Sequence, residues 1–123
     1  MLLSIDPTSN EPLFAQLEAS VRSQIAGGRI QPGERLPAAR EVAASLQVNV
    51  HTVLRAYAEL RDAGLIELRR GRGAVVTANA LDRATLHAAV AHAVSTARDL
   101  GIGQTELIDA VRRHYTGTTE QEG

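Results

Sequence analysis

Two apolar patterns with helical spacing meet across a two-residue link, Gln47-Val48, and that join constrains the fold more than any other feature of the chain. Before it, a short helix starting near Pro37 is expected to bury Val42, Ala43 and Leu46 while Arg40 and Glu41 face outward. After it, Asn49 is placed to cap a helix that stops at Gly64, since an Asn side chain accepts from the unpaired N–H groups of a first turn. Upstream, Leu13, Leu17, Val21 and Ile25 step by four with Phe14 beside them. That helix has Asn10 as its expected cap, Pro12 in its first turn and Gly27-Gly28 at its end, following the usual start and stop signals. Residues 2–5 are expected as a short strand, 6–10 as a turn, and "QPGERLP" as a tight loop. Downstream, "LIELRRGRGAVVT" alternates Ile66 and Leu68 with Glu67 and Arg69, surrounds Arg72 with Gly71 and Gly73, and continues in Ala74, Val75 and Val76. This is the pattern of a β-hairpin with an arginine and glycine tip.

Three helices, the last two joined by a short turn, and then a hairpin form the layout of a winged helix-turn-helix. In such a domain the second helix of the motif enters the major groove by its N-terminal end while the preceding helix crosses the backbone. Winding residues 49–63 at about 100° each puts Val53, Ala56, Tyr57, Leu60 and Ala63 on one side, with Val50 at its edge. His51, Arg55, Ala58 and Asp62 fall opposite, Leu54 lies at the other margin, and Thr52 sits nearer the boundary. Phosphates need Arg, short polar side chains and free N–H groups. Base edges need donors and acceptors, plus apolar groups for thymine methyls. Val50 and Leu54 fit the last of these, and an ordinary amphipathic helix with a wet outer face is the bland alternative.

The composition shifts near residue 79. "LDRATLHAAVAHAVSTARDLG" reads as a helix with Asp82 as cap and Gly101 as terminator, carrying a stripe of Leu86, Val90, Ala93, Ala97 and Leu100. A last helix over 104–116 puts Leu107, Ile108, Val111 and Tyr115 on one side, and 117–123 reads as a polar, disordered tail. Two helices alone enclose too little volume for a core. Their stripes need a partner, so a homodimer is expected, with the hairpin folding back on its own domain as the alternative. The domains expected are therefore 1–77, winged helix, and 78–116, dimerisation and effector region.

Absence of cysteine excludes disulfides and thiol chemistry, and no run of apolar residues is long enough to span a membrane. No basic n-region followed by an apolar run opens the chain, so a cytoplasmic protein is expected. The net charge of −1 conceals a weak asymmetry: residues 1–77 hold nine Arg against eight acids, and 78–123 hold four against six. Every basic residue is Arg, and Arg69, Arg70 and Arg72 cluster at the hairpin. His87 and His92 are five apart and do not share a helix face, and His114 stands alone, so no metal site is expected. No nucleophile triad, paired carboxylates or phosphate loop is recognisable, and neither a cofactor nor enzymatic activity is expected.

Residues 12–76 resemble the DNA-binding domain of the GntR family of bacterial transcription regulators, through "IQPGERLPAAREVA", "NVHTVLRAYAELRDAGLI" and "RRGRG". The form N-x-x-T-V-x-R-A-Y-x-E-L is similar to the YtrA-like branch, which has a short two-helix extension in place of a large ligand-binding domain. The resemblance implies DNA contacts from Arg35, Arg40, Asn49, Val50, His51, Thr52, Leu54 and Arg55, and from a wing of Arg69, Arg70, Gly71 and Arg72. Gln47 stands where many members have Gly, which implies a strained non-glycine turn. Val50 and His51 stand where the branch commonly has Pro and Asn, and Val50 where many other members have Arg. The implied function is a homodimeric regulator, a repressor, on a near-palindromic double-stranded operator, and the branch often controls ABC-type transporter operons. A small-molecule effector is expected in a crevice where the C-terminal helices meet the winged domain. The rival reading is a protein–protein interaction module on the same scaffold, which the near-neutral charge favours.

Overall fold

The structure is a computed structural model that describes residues 3–122, with side chains through residue 117. In chain order it contains α1 (Leu13–Ala26), α2 (Ala39–Leu46), α3 (Val50–Asp62), β1 (Ile66–Arg69), β2 (Gly73–Val76), α4 (Ala80–Asp99) and α5 (Gln104–Glu122). It is a mainly helical protein with one small antiparallel hairpin. The chain divides into two compact units, Met1–His87 and Ala88–Gly123.

The first unit is a winged helix. Leu17, Val21 and Ile25 of α1 meet Val42 and Ala43 of α2 and Val53, Ala56, Tyr57 and Leu60 of α3 in one buried cluster. The α1–α2 loop joins it through Ile30 and Leu36, which are almost wholly buried. That loop also runs along β2: Leu36 N donates to Ala74 O at 2.8 Å, Val76 N to Glu34 O at 2.9 Å, and Gly33 N to Val76 O at 2.8 Å. The hairpin register pairs Ile66 with Val76 and Arg69 with Gly73. Gly64 turns the chain from α3 into β1 at φ +83°, where a Cβ would meet the Arg83 side chain at 3.4 Å. Such a φ favours glycine because it has no Cβ to clash.

Several local expectations need correction. No strand forms over residues 3–5, and Leu2 of the expected strand lies outside the described residues. Asn10 does not cap α1; Pro12 holds the N-cap position with no side-chain bond. The helix begins too far beyond Asn10 for that carboxamide to reach it. Gln16 instead ties the approach down, accepting from Asp6 N and donating to Asp6 O and Glu11 O. The second helix starts at Ala39 rather than near Pro37, with Leu46 only half-buried. Pro37 is occupied otherwise, since its carbonyl accepts the Tyr57 hydroxyl at 2.6 Å. Leu68 alternates with Ile66 in sequence yet is 52% exposed, lining an open cleft with Leu54 instead of entering the core.

The fourth helix begins at Ala80, so Asp82 lies inside its first turn instead of capping it. The first unit extends ten residues past the boundary expected at 77, because Ala80 and Ala84 are buried in the winged-helix core. A polar cluster joins the same helix to α1. Glu18, 12% exposed at its side chain, lies 3.4 Å from Arg22 Nε and 3.7 Å from His87 Nε2. Arg22 Nη1 is 3.0 Å from His87 Nδ1. A guanidinium only donates, so Nδ1 accepts and the ring proton sits on Nε2, toward Glu18.

In the second unit, the later turns of α4 and α5 flank an apolar groove of about 570 Å³, lined by Val90, Ala93, Ala97, Leu107, Ile108 and Val111 among others. Ala97 is buried and Ala93 and Leu107 are half-buried. Leu86 in the first unit, and Val90, Leu100, Ile108, Val111 and Tyr115 in the second, are exposed in the single chain, Tyr115 at 76%. The α5 backbone continues to Glu122, past the end expected at 116 and through residues read as a tail. No proline interrupts that stretch, and the cost of Gly117 within a helix is only about 1 kcal/mol. Gly123 lies outside the described residues.

Candidate nucleic-acid interface

The interface is built around the start of α3. Asn49 sits in extended backbone before the helix, and its Oδ1 accepts from His51 N at 2.9 Å. That bond, with Thr52 N donating to Asn49 O at 3.0 Å, satisfies two of the first-turn donors, and the positive end of the helix still favours an anion. Gln47 turns the chain into this position at φ 57°, ψ 46°, and is the one non-glycine residue at positive φ among those described. A left-handed non-glycine residue costs on the order of 1 kcal/mol. The link stays short at that cost, and Val48 N closes it by donating to Ala43 O at 3.0 Å.

The two faces of α3 separate as the periodicity requires. Val53 and Leu60 have no exposed surface, Ala56 and Tyr57 are buried, and Ala63 is half-buried. Opposite them, His51, Arg55 and Asp62 are exposed, as is Leu54 at 48%. Val50 and Thr52 are half-buried, and Val50 packs against the core. Tyr57 anchors the helix from below. Burial, and secondarily the charge of Glu41, pushes its phenol up to about 12, so it remains a donor to Pro37 O across the neutral range.

Arg55 does not extend freely into solvent. Its guanidinium carbon lies 3.8 Å from the centroid of the Phe14 ring, over the ring of a residue in the first turn of α1. Nothing in the spacing of the sequence pairs these positions, because the contact joins two helices far apart in the chain.

The wing completes the surface. Gly71 turns its tip at φ +82° with open space around it, and Arg72 N donates to Arg69 O at 3.1 Å to close the turn. Arg70 and Arg72 are exposed. Arg69 differs from them, since Glu67 on the same strand takes its Nη2 at 2.9 Å and its Nε at 3.0 Å. Between the wing and the reading helix lies a shallow cleft of about 410 Å³ that brings together Arg35, Leu54, Leu68 and Arg72. Arg35 bridges to Val75 through the backbone and keeps its side chain exposed. Arg40 is exposed on α2. All twelve residues expected at a DNA surface thus belong to α2, α3, the loop before α2, or the hairpin. Leu68 and Phe14 are the additions, the first displaced from the core and the second found only through Arg55.

This arrangement presents exposed guanidinium groups, a helix N-terminus and two accessible leucines, which together suit a phosphate backbone and the floor of a groove. Among the described residues no group of three or more side chains is placed to hold a metal ion, and no helix is long and apolar enough to cross a membrane.

Residues 13–76 match the family model described as bacterial regulatory proteins, gntR family. The HTH-type transcriptional regulator Rv1152 of Mycobacterium tuberculosis is 36% identical over 106 residues, 86% of this chain and 88% of that protein. The HTH-type transcriptional repressor YtrA of Bacillus subtilis is 38% identical over 79 residues, 64% of this chain and 61% of that protein. Among solved structures, YtrA from Sulfolobus acidocaldarius, a GntR-family transcription factor, aligns with a TM-score of 0.61 at 34% identity, covering 77% of this chain and 99% of that one. AraR(DBD) in complex with operator ORX1 aligns with a TM-score of 0.54 at 30% identity, over 61% of this chain and 93% of that one.

Proposed function

The chain belongs to the gntR family of bacterial regulatory proteins, and from that membership we propose a repressor that reads a near-palindromic operator as a homodimer. It is a DNA-binding transcription regulator and not an enzyme. The observation that carries the proposal is the single surface formed by the start of α3 and the wing. There Leu54 shares one cleft with Arg35 and Arg72, and His51, Arg55 and Arg70 are exposed on the same elements. In this reading Asn49, His51, Thr52 and Arg55 meet bases and adjacent phosphates, Val50 and Leu54 meet thymine methyls, Arg40 meets the backbone, and Arg69, Arg70, Gly71 and Arg72 form the wing contact. The salt bridge to Glu67 makes Arg69 the weakest of the wing arginines, since it must give up an acid to reach a phosphate.

The homodimer is supported by the apolar residues that α4 and α5 leave exposed, among them Leu86, Val90, Leu100, Ile108, Val111 and Tyr115. Of these, Val90, Ile108 and Val111 border one groove in the second unit, and exposed apolar surface of this kind marks an interaction site. Each winged helix then reads one half-site, with spacing near a helical turn or somewhat more. A small-molecule effector acts by changing how the two heads are held apart, because affinity depends on both engaging at once. A cytoplasmic location follows from a genomic target.

The rival, an interaction module on the same scaffold, rested on the net charge of −1. Placement outweighs the sum: eight acids accompany nine arginines over residues 1–77, yet Arg72 and Arg35 border the reading helix. Selection of duplexes from a random pool by the purified protein tests the proposal. Two inverted half-sites should emerge, with retention falling steeply as salt rises, because each neutralised phosphate releases counterions. Retention that is absent or insensitive to salt sinks the regulator reading. Asymmetric single sites sink the homodimer.

A further inference from the structure

Arg55 has a specific environment that its assignment to the reading face does not explain. Its guanidinium carbon is 3.8 Å from the Phe14 centroid, and among the described residues no hydrogen bond or ion pair holds it. The ring belongs to α1, a helix outside the helix-turn-helix pair. Phe14 is itself half-buried and packed against the core, so its position is set by the fold.

A guanidinium over an aromatic face is attracted by the ring quadrupole. Its donors lie in its own plane, so a stacked arginine keeps its N–H edges available. A free arginine on a helix surface samples many rotamers, and ordering it on binding costs about 0.5–1.5 kcal/mol. A ring already holding the group removes much of that cost beforehand.

We propose that Phe14 is a positioning residue for operator recognition: its ring holds the Arg55 guanidinium so that the N–H edge is presented to DNA in advance of binding. The inference rests on the regulator reading above and adds α1 to the elements that set affinity. Phe14 itself touches no DNA in this account. Its influence passes wholly through Arg55.

The test is a double-mutant cycle on the duplex recovered by random-pool selection, using wild type, Phe14→Leu, Phe14→Tyr, Arg55→Ala and Phe14→Leu/Arg55→Ala. Phe14→Leu should weaken binding about two- to ten-fold per half-site, Phe14→Tyr should bind as wild type does, and Phe14→Leu should add nothing once Arg55 is Ala. Equal loss in both Arg55 backgrounds would make Phe14 a structural residue and overturn the proposal. Unchanged or tighter binding by Phe14→Leu would overturn it too, the latter meaning that the stack withholds Arg55 from DNA. Should Phe14→Leu fail to fold, Phe14→Met takes its place, since an unbranched, flexible side chain adapts to irregular gaps. Independently, the Arg55 Nε–H resonance of free wild-type protein should show a ring-current shift that Phe14→Met abolishes, and its absence refutes the stack. Failure of wild type to bind any duplex would instead fault the regulator reading, which separates the two outcomes.

Discussion

At the scale of single residues, two positions around the helix-turn-helix trade stability for geometry in measurable ways. Gln47 holds a left-handed backbone at φ 57° with an ordinary side chain. Replacing it by Gly should raise stability by up to about 1 kcal/mol, less the extra entropy Gly brings to the unfolded chain; a lower midpoint in chemical denaturation would contradict the strain. Tyr57 is pushed up to about 12 by burial and by Glu41, against 10.0 for an unperturbed phenol. Between those values the folded state retains a proton that the unfolded chain has lost. Its contribution is therefore complete below about pH 10 and drains away as pH rises toward 12. Wild type should lose on the order of 2 kcal/mol more than Tyr57→Phe across that window. Parallel stability curves for the two proteins would mean that the phenol is not held as described. The strain at Gln47 was legible in the sequence by comparison with glycine at that place in related chains. The Phe14–Arg55 stack was not, because a contact between two helices leaves no trace in the spacing of either.

At the scale of elements, periodicity served best where one partner surface decides burial and worst where several compete. The stripe of α3 follows its expected faces, since Val53, Ala56, Tyr57 and Leu60 all meet the same core. Alternation in β1 failed at Leu68, 52% exposed, because a strand's period assigns a face but cannot say where the covering layer stops. The early turns of α4 were misassigned for a related reason. Ala80 and Ala84 fall within the range expected for the dimerisation region, 78–116, yet they fill the winged-helix core. The Glu18–Arg22–His87 cluster fastens that helix to α1. Arg22 Nε is buried and makes no well-aligned hydrogen bond, although Glu18 Oε1 is 3.4 Å away. Removing the carboxylate leaves a guanidinium with less compensation in a partly closed site. Glu18→Ala should then cost about 1–3 kcal/mol, with Glu18→Gln recovering part of it. A denaturation midpoint for Glu18→Ala equal to that of wild type would show the cluster to be inert.

At the scale of the whole molecule, the winged-helix architecture and the hairpin were readable from the order of helices, turn and glycine-rich tip, whereas the extent of the first unit was not. That unit runs to His87 and includes two turns of a helix that continues into the second. Truncation after residue 87 should give a folded winged helix, whereas truncation after residue 77 removes Ala80, Ala84 and His87 and should melt well below it. Loss of two buried alanines opens core surface worth roughly 25 cal/mol per Å², and equal thermal midpoints for the two fragments would return the boundary to 77. The 1–87 fragment also separates folding from assembly. If the 1–87 fragment is monomeric and binds one half-site weakly, the dimer interface lies beyond it; a dimeric fragment would place that interface in the winged helix. The half-buried setting of Val50 bears on how such a regulator changes its target over time. His51 and Leu54 face solvent and can be exchanged with little effect on folding, but Val50 also packs against the core. New operator preferences are therefore expected to arise first at His51 and Leu54, and substitutions at Val50 to survive only in backgrounds already stable enough to absorb them.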